Sequence, residues 1–397
     1  MFSRRKLLWV LGICALLFVG IGIYGYFIGT RTLLEHAELL NLRRLQVTQL
    51  QDQDAHRFFY ISNRQRNEAG DEIDTRYLSR RDEALNFGHF DVRVEPTLGI
   101  GMLVNPSEWL INEEIQLLSV QARQRAAFVE ALRGQVDSSP DRSLLVVIHG
   151  FRESYPSALR KTAFLAHVLD INTPMLLFDW PGDQGSSLRG YRRARQVAID
   201  SAAELAETIK LITEDVRPDR LWLMANSMGA QVVVHAMSRL YRDNNFSDAP
   251  TEIEHVVLTA ADADQSAFNE QFKNEIARLA DRLTVYVSSN DRALFASRLI
   301  NRGKRLGEST FDPGNPDMAL AARSFAELLD NDDHQRVLVD VTPVNRTRNF
   351  HNFSLETPEF FDDLFLRLTT IDPPPTRELY PVLTPEGKRY YVLTRSR

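Results

Sequence analysis

The sequence predicts a doubly wound, mostly parallel α/β sheet preceded by one N-terminal transmembrane helix. Three observations predict it: short apolar runs alternating with longer amphipathic stretches from residue 143 onward, an almost unbroken apolar stretch over 7–29, and a composition of 44% hydrophobic and 25% charged residues with one cysteine. Apolar runs separated by amphipathic segments are the pattern of βα units whose strands are covered on both faces. The composition excludes a disordered, collagen-like or disulfide-stapled chain. A formal net charge of −6 supplies no global basic field, so nucleic acid is not an expected partner.

In chain order, residues 1–6 form a short basic segment and 7–29 a transmembrane anchor, long enough to cross about 30 Å of hydrocarbon. Arg4, Arg5 and Lys6 abut the apolar stretch, whereas Arg31, Arg43 and Arg44 follow it at increasing distance. Proximity favours the N-terminus inside and the folded part on the extracytoplasmic, periplasmic side. The stretch is longer than the apolar core of a signal peptide and lacks an Ala-x-Ala-like site, so the anchor is expected to stay uncleaved. Cys14 lies within it as a small apolar filler. Residues 30–55 read as a stalk or linker, with Leu33, Leu40 and Val47 seven apart.

Aromatic and β-branched residues at His56-Arg-Phe-Phe-Tyr-Ile-Ser-Asn63 open a folded domain spanning 56–371. Extra strands are expected at 58–62 and 90–94, then a helix over 126–132. Six apolar runs follow as the parallel strands, at 144–148, 175–178, 221–224, 256–258, 283–287 and 337–341. Between them, apolar residues three and four apart predict helices over 159–169, 194–213, 231–241 and 267–279. A last helix is expected over 358–368. Asp372-Pro-Pro-Pro ends it, and residues 372–397 read as a C-terminal appendage with a hairpin around Pro385-Glu-Gly387.

The strongest chemical signal is an apolar run that stops at Ser227 and turns at once into an apolar-faced helix. A serine raised on so sharp a turn needs small residues two before and two after it, here Ala225 and Gly229. Ser227 would also serve as a plain helix cap. The first parallel run ends in His149-Gly-Phe, and the backbone N–H groups of Phe151 and Met228 are the candidate oxyanion donors. His149 itself reads as structural. A serine nucleophile needs a base, and the base needs a carboxylate to set its tautomer. Asp291 ends the fifth run just before a helical segment, where it is either that carboxylate or an N-cap. His351 lies in the loop after the sixth run and is the candidate base. Asp262 and Asp264 are rival acids that would otherwise cap a helix starting near Ser266, and His334 is a rival base expected on the surface. Trp180 reads as a pocket wall or a core plug. The four arginines within 186–195 read as a solvated helix start, or as a contact for an anionic substrate or lipid head group.

Several motifs together resemble the α/β-hydrolase superfamily, and within it a bacterial esterase/lipase-like family of unknown function. They are Phe59-Tyr-Ile-Ser-Asn-Arg64, Val147-Ile-His-Gly-Phe151, Phe178-Asp-Trp-Pro-Gly182, Asn226-Ser-Met-Gly229, Ala261-Asp-Ala-Asp-Gln-Ser-Ala-Phe268, Ser288-Ser-Asn-Asp-Arg-Ala-Leu294 and His351 ahead of the last helix. Relatives carry His where this chain has Asn226, and Gly where it has Phe350. The resemblance implies an α/β-hydrolase fold with acyl-transfer chemistry and leaves the substrate open.

The expected function is therefore a membrane-anchored serine hydrolase that cleaves a carboxylic ester or thioester. Ser227 is its nucleophile, His351 its base and Asp291 its orienting acid. The alternative is a catalytically silent scaffold that binds an envelope or membrane partner. Small-molecule or lipid esters are the expected partners. No metal-ligand spacing, dinucleotide fingerprint or phosphate-binding loop is present, so no cofactor is expected.

Overall fold

A computed structural model describes residues 44–50, 55–70, 72–94, 115–249, 252–308, 335–347, 350–370, 376, 378–384 and 387–395. The apolar stretch at 7–29, most of the proposed stalk and His334 lie outside the described residues. Among the described residues no helix is long and apolar enough to cross a membrane.

One sheet of eleven strands organises the described residues. The strands are β1 (His56–Arg66), β2 (Tyr77–Val94), β3 (Ile115–Arg123), β4 (Ser143–Ile148), β5 (Met175–Asp179), β6 (Arg220–Asn226), β7 (Ile253–Thr259), β8 (Ala280–Val287), β9 (Arg336–Asp340), β10 (Leu379–Leu383) and β11 (Arg389–Leu393). Their order across the sheet is β10-β11-β9-β8-β7-β6-β4-β5-β1-β2-β3. All six expected apolar runs are parallel strands, and β1 and β11 extend the same direction by pairing parallel to β5 and β9. The C-terminal hairpin of β10 and β11 is thus no separate appendage: Tyr391 and Val392 pair with Val339 and Asp340 of β9. An apolar edge strand left unpaired by β9 is capped by it.

Successive strand residues point to opposite faces, and the core divides accordingly. Val146, Ile148, Leu221, Leu223 and Ala225 pack with helices α1 (Arg125–Ser138), α3 (Leu188–Asp200), α4 (Ala202–Leu211), α5 (Gly229–Tyr241) and α6 (Lys273–Leu279). On the other face, Leu145, Trp222, Met224 and Tyr286 pack with α2 (Tyr155–Leu169) and α8 (Pro358–Thr369). This is the double winding the apolar runs imply. The helix expected over 194–213 begins earlier, at Leu188, because the Ser187 hydroxyl accepts the Gly190 N–H, and it is interrupted at Ser201. Arg189, Arg192 and Arg193 are exposed on α3, so the basic cluster lies on a solvated helix.

Residues 44–50, within the stretch read as linker, lie against the domain. Asp170 accepts the Arg44 and Leu45 N–H groups, and Leu45 is buried. The chain runs from β4 to β5 on one side of β4 and then crosses back to β6 on the other. At such a switch point the loops leaving the two strands diverge, which opens a crevice at their C-terminal ends.

Candidate active site

Ser227 follows β6 at this crevice with φ = +53°, a left-handed backbone that a non-glycine residue adopts only under constraint. The constraint is visible: its N–H donates to Thr259 O at 2.9 Å, and its carbonyl accepts the Asp262 N–H at 3.0 Å. A Cβ on Gly229 would stand 2.5 Å from His149 O and 2.7 Å from Ile148 O, so α5 leaves the turn against β4 only with glycine there. Ala225, at the earlier small position, is buried in the core without such a clash.

Asp291 follows β8 and divides its two oxygens between tasks. Oδ1 accepts the Leu294 N–H at 2.9 Å and caps α7 (Arg292–Asn301), while Oδ2 lies 2.7 Å from His351 Nδ1. One side chain thus both caps a helix and contacts the His351 ring. An ionised carboxylate can only accept, so Nδ1 carries the proton and Nε2 is left as acceptor. Nε2 lies 2.9 Å from Ser227 Oγ. Three side chains from positions 227, 291 and 351 thereby form one hydrogen-bonded line.

Burial disfavours the charged His351 ring, yet the charge and hydrogen bond of Asp291, with a further contribution from Asp262, outweigh it, and Lys161 opposes them. The ring consequently titrates above its ordinary value.

The loop aiming His351 contains features that sequence reasoning passed over. Phe350 has φ = +51°, a left-handed backbone that glycine adopts far more readily. Here a bulky residue is held in that conformation from three sides. Its N–H donates to Thr347 O at 2.9 Å, its carbonyl accepts from Asn345 Nδ2, and its ring lies under the Arg292 guanidinium at 5.1 Å. Asn345 also donates to Ser288 Oγ at 2.8 Å, tying the His351 loop to the loop that carries Asp291. An Asn a few residues before a loop histidine gives no sequence signal, because its Ser288 partner is 57 residues away in the chain.

The remaining candidates separate. Asp264 caps the short helix Gln265–Ala267 by accepting the Ala267 N–H at 3.0 Å. Asp262 does not cap it. It is buried and bonded to Arg305 Nε at 2.6 Å, Ser297 Oγ at 2.6 Å and Tyr191 OH at 2.8 Å, and these partners hold it away from the His351 hydrogen bond. His149 is buried and stacked on Trp180 at 5.5 Å. Trp180 is a core plug whose Nε1–H donates to His149 O at 2.8 Å. Phe151 and Met228 stand on the two loops flanking Ser227: a Cβ on Gly150, next to Phe151, would lie 3.0 Å from Ser227 Cβ. A pocket beside the turn is lined by Val147, Lys161, Leu165, Met224, Asn352 and Leu355, among others. Among the described residues no group of three or more His, Cys, Asp or Glu side chains is placed to hold a metal ion.

A family model described as an alpha/beta hydrolase of unknown function (DUF900) matches residues 124–361, which include Ser227, Asp291 and His351. The chain belongs to this family. The family match starts at α1 and takes in β4 through β9, the parallel core of the sheet. No curated protein matches the chain. Among solved structures, a protein named as a hydrolase from Agrobacterium vitis S4 is 12% identical, with 74% of this chain and 95% of that chain covered and a TM-score of 0.32. Esterase B from Lactobacillus rhamnosis, inhibited by a tributyrin phosphonate, is 10% identical, with 72% and 81% covered and a TM-score of 0.27. A protein named as a cell surface hydrolase from Lactobacillus plantarum WCFS1 is 12% identical, with 38% and 69% covered and a TM-score of 0.25.

Proposed function

We propose that the protein is a membrane-anchored serine hydrolase that cleaves a carboxylic ester or thioester through an acyl-enzyme. The single observation that supports this most is the His351 ring, with Nε2 at 2.9 Å from Ser227 Oγ and Nδ1 at 2.7 Å from Asp291 Oδ2. Ser227 Oγ attacks the carbonyl carbon while its proton passes to His351 Nε2. The tetrahedral oxyanion is met by the N–H groups of Phe151 and Met228, each worth about 3–4 kcal/mol of barrier in comparable sites. Collapse expels the alcohol or thiol, which takes the proton from Nε2. Water then repeats the sequence on the acyl-serine and returns the free acid and Ser227. Asp291 keeps its charge throughout and steadies the imidazolium.

A binding scaffold has no use for a strained serine backbone against a histidine whose partner carboxylate is buried. These features favour the hydrolase. The apolar stretch at 7–29 with its flanking Arg4, Arg5 and Lys6 supports anchoring with the folded part outside the cytoplasm. A fluorophosphonate probe is expected to label Ser227 and not the Ser227→Ala variant, and the variant should lose about 10⁴-fold or more in ester turnover. A folded wild-type protein that neither labels nor turns over p-nitrophenyl esters of any chain length overturns the assignment. A reporter fused at the C-terminus, active only in the cytoplasm, overturns the orientation.

A further inference from the structure

Arg64 ends the apolar part of β1 and is almost wholly buried, with 1% of its side chain exposed. Its guanidinium reaches the end of β5 and two loops. Nε donates to Asp179 at 2.9 Å and Nη1 to Asp183 Oδ1 at 2.6 Å. Nη2 donates to two backbone carbonyls, Glu153 O at 2.8 Å and Trp180 O at 3.0 Å. Glu153 belongs to the loop after β4, and Trp180 and Asp183 to the loop after β5.

Asp179 completes the arrangement from the other end. It accepts Ser62 Oγ–H at 2.6 Å and lies 3.1 Å from His149 Nε2. Phe151 is therefore bracketed: two residues before it, His149 is tied to Asp179, and two residues after it, the Glu153 carbonyl is tied to Arg64. The Arg152 N–H adds a cross-link to Gly182 O at 2.9 Å. A cation buried this deeply seldom stabilises a fold more than an apolar side chain of similar volume would. What a guanidinium offers that an apolar residue or a lysine does not is a planar fork that fixes several acceptors in one relative geometry.

We propose that Arg64 is a positioning residue for the oxyanion site. Its guanidinium holds the loops after β4 and β5 in the one mutual arrangement that aims the Phe151 N–H at the carbonyl oxygen of a bound ester. The inference rests on the hydrolase reading for that last step, whereas the holding of the loops stands on the hydrogen bonds alone.

The test uses the full chain with Arg64→Lys, which keeps the charge and loses the fork, and Asp183→Asn, which removes the negative charge facing Nη1 at a partly exposed site while leaving an amide oxygen to accept. Two readouts are taken: amide hydrogen exchange over residues 149–153 and 180–183, and kcat and KM for a p-nitrophenyl ester. Arg64→Lys should raise exchange in both loops while leaving β6 to β8 unchanged. It should lower kcat by about 10- to 100-fold, a share of what loss of one oxyanion donor costs, with KM within about twofold and the pH at half-maximal rate unmoved because the Asp291–His351 pair is untouched. Asp183→Asn should act in the same direction and more weakly. Unchanged loop exchange in a folded Arg64→Lys protein overturns the inference, as does a loss confined to global stability with normal kcat. A wild-type chain that hydrolyses no ester overturns the functional reading, and with it the aiming of Phe151, while the exchange data still decide whether Arg64 holds the loops.

Discussion

Asp291 serves His351 and its own helix at once: one carboxylate oxygen lies 2.7 Å from His351 Nδ1 and the other accepts the Leu294 N–H that begins α7. The acid is thus aimed by the helix it caps, and the two functions are separable by substitution. Asn caps helices about as well as Asp but cannot hold Nδ1–H while keeping a negative charge. Asp291→Asn should therefore retain stability within about 1 kcal/mol and lose about 10⁴-fold in kcat. Asp291→Ala should lose similar activity and in addition about 1 kcal/mol of stability from the missing cap. Urea unfolding alongside ester kinetics separates the two outcomes.

The raised His351 pKa sets the sign of two pH dependences. The base acts only when neutral, so kcat/KM should fall as pH drops through a value above the ordinary 6.5 of imidazole. Stability runs the other way. The folded state binds the proton more tightly than the unfolded chain, so this contribution is fully present below the unfolded value and is lost as pH rises through the folded one. Comparing urea midpoints of wild type and His351→Gln across this window should show a wild-type advantage that shrinks with rising pH. In Asp291→Asn the residual activity should have its acid limb displaced to lower pH, because the partner that raises the pKa is gone.

Phe350 tests whether the left-handed backbone, rather than the side chain, aims the histidine. Glycine adopts φ = +51° without the roughly 1–2 kcal/mol that an L side chain costs there, so Phe350→Gly should keep kcat within about fivefold despite losing the contact with Arg292. Valine, branched at Cβ, is a true outlier in that region. Phe350→Val should cut kcat by more than about tenfold with fluorophosphonate labelling slowed to match, an outcome of strain at the order of 1–3 kcal/mol.

Gly229 has no room to give. Any Cβ there meets the backbone carbonyls of His149 and Ile148, at and just past the end of β4, 2.5 and 2.7 Å away, and neither can swing aside as a flexible side chain would. Gly229→Ala should destabilise by about 3 kcal/mol or more, in the upper range for overpacking, and abolish labelling of Ser227. Thermal unfolding with probe labelling checks it.

Much of the fold is legible because buried parallel strands are continuous apolar runs, which set the six central strands apart from the amphipathic helices between them. β1 and β11 are less legible. β1 carries the charged Arg64 near its end, and β11 is a short arm of a terminal hairpin, so nothing local reveals that either joins the parallel block. Ser227 and Asp291 stand out as candidates because each follows an apolar run within a few residues, and His351 because it lies in the loop after the last run, where strand C-termini gather. Asp262 follows one equally directly. Its partners Arg305, Ser297 and Tyr191, distant in the chain and silent in the pattern, explain why it is engaged elsewhere.

Which segments are buried strands, where those strands end and which chemically capable side chains stand nearby can be read along the chain, since hydrophobic periodicity and turn chemistry act within a few residues. The tertiary structure alone decided which carboxylate meets the His351 ring, how a phenylalanine holds a backbone suited to glycine, and why a buried arginine lies behind Phe151. Those outcomes depend on contacts most of which join groups tens to more than a hundred residues apart, whose directions exist only once the sheet has brought the loops together.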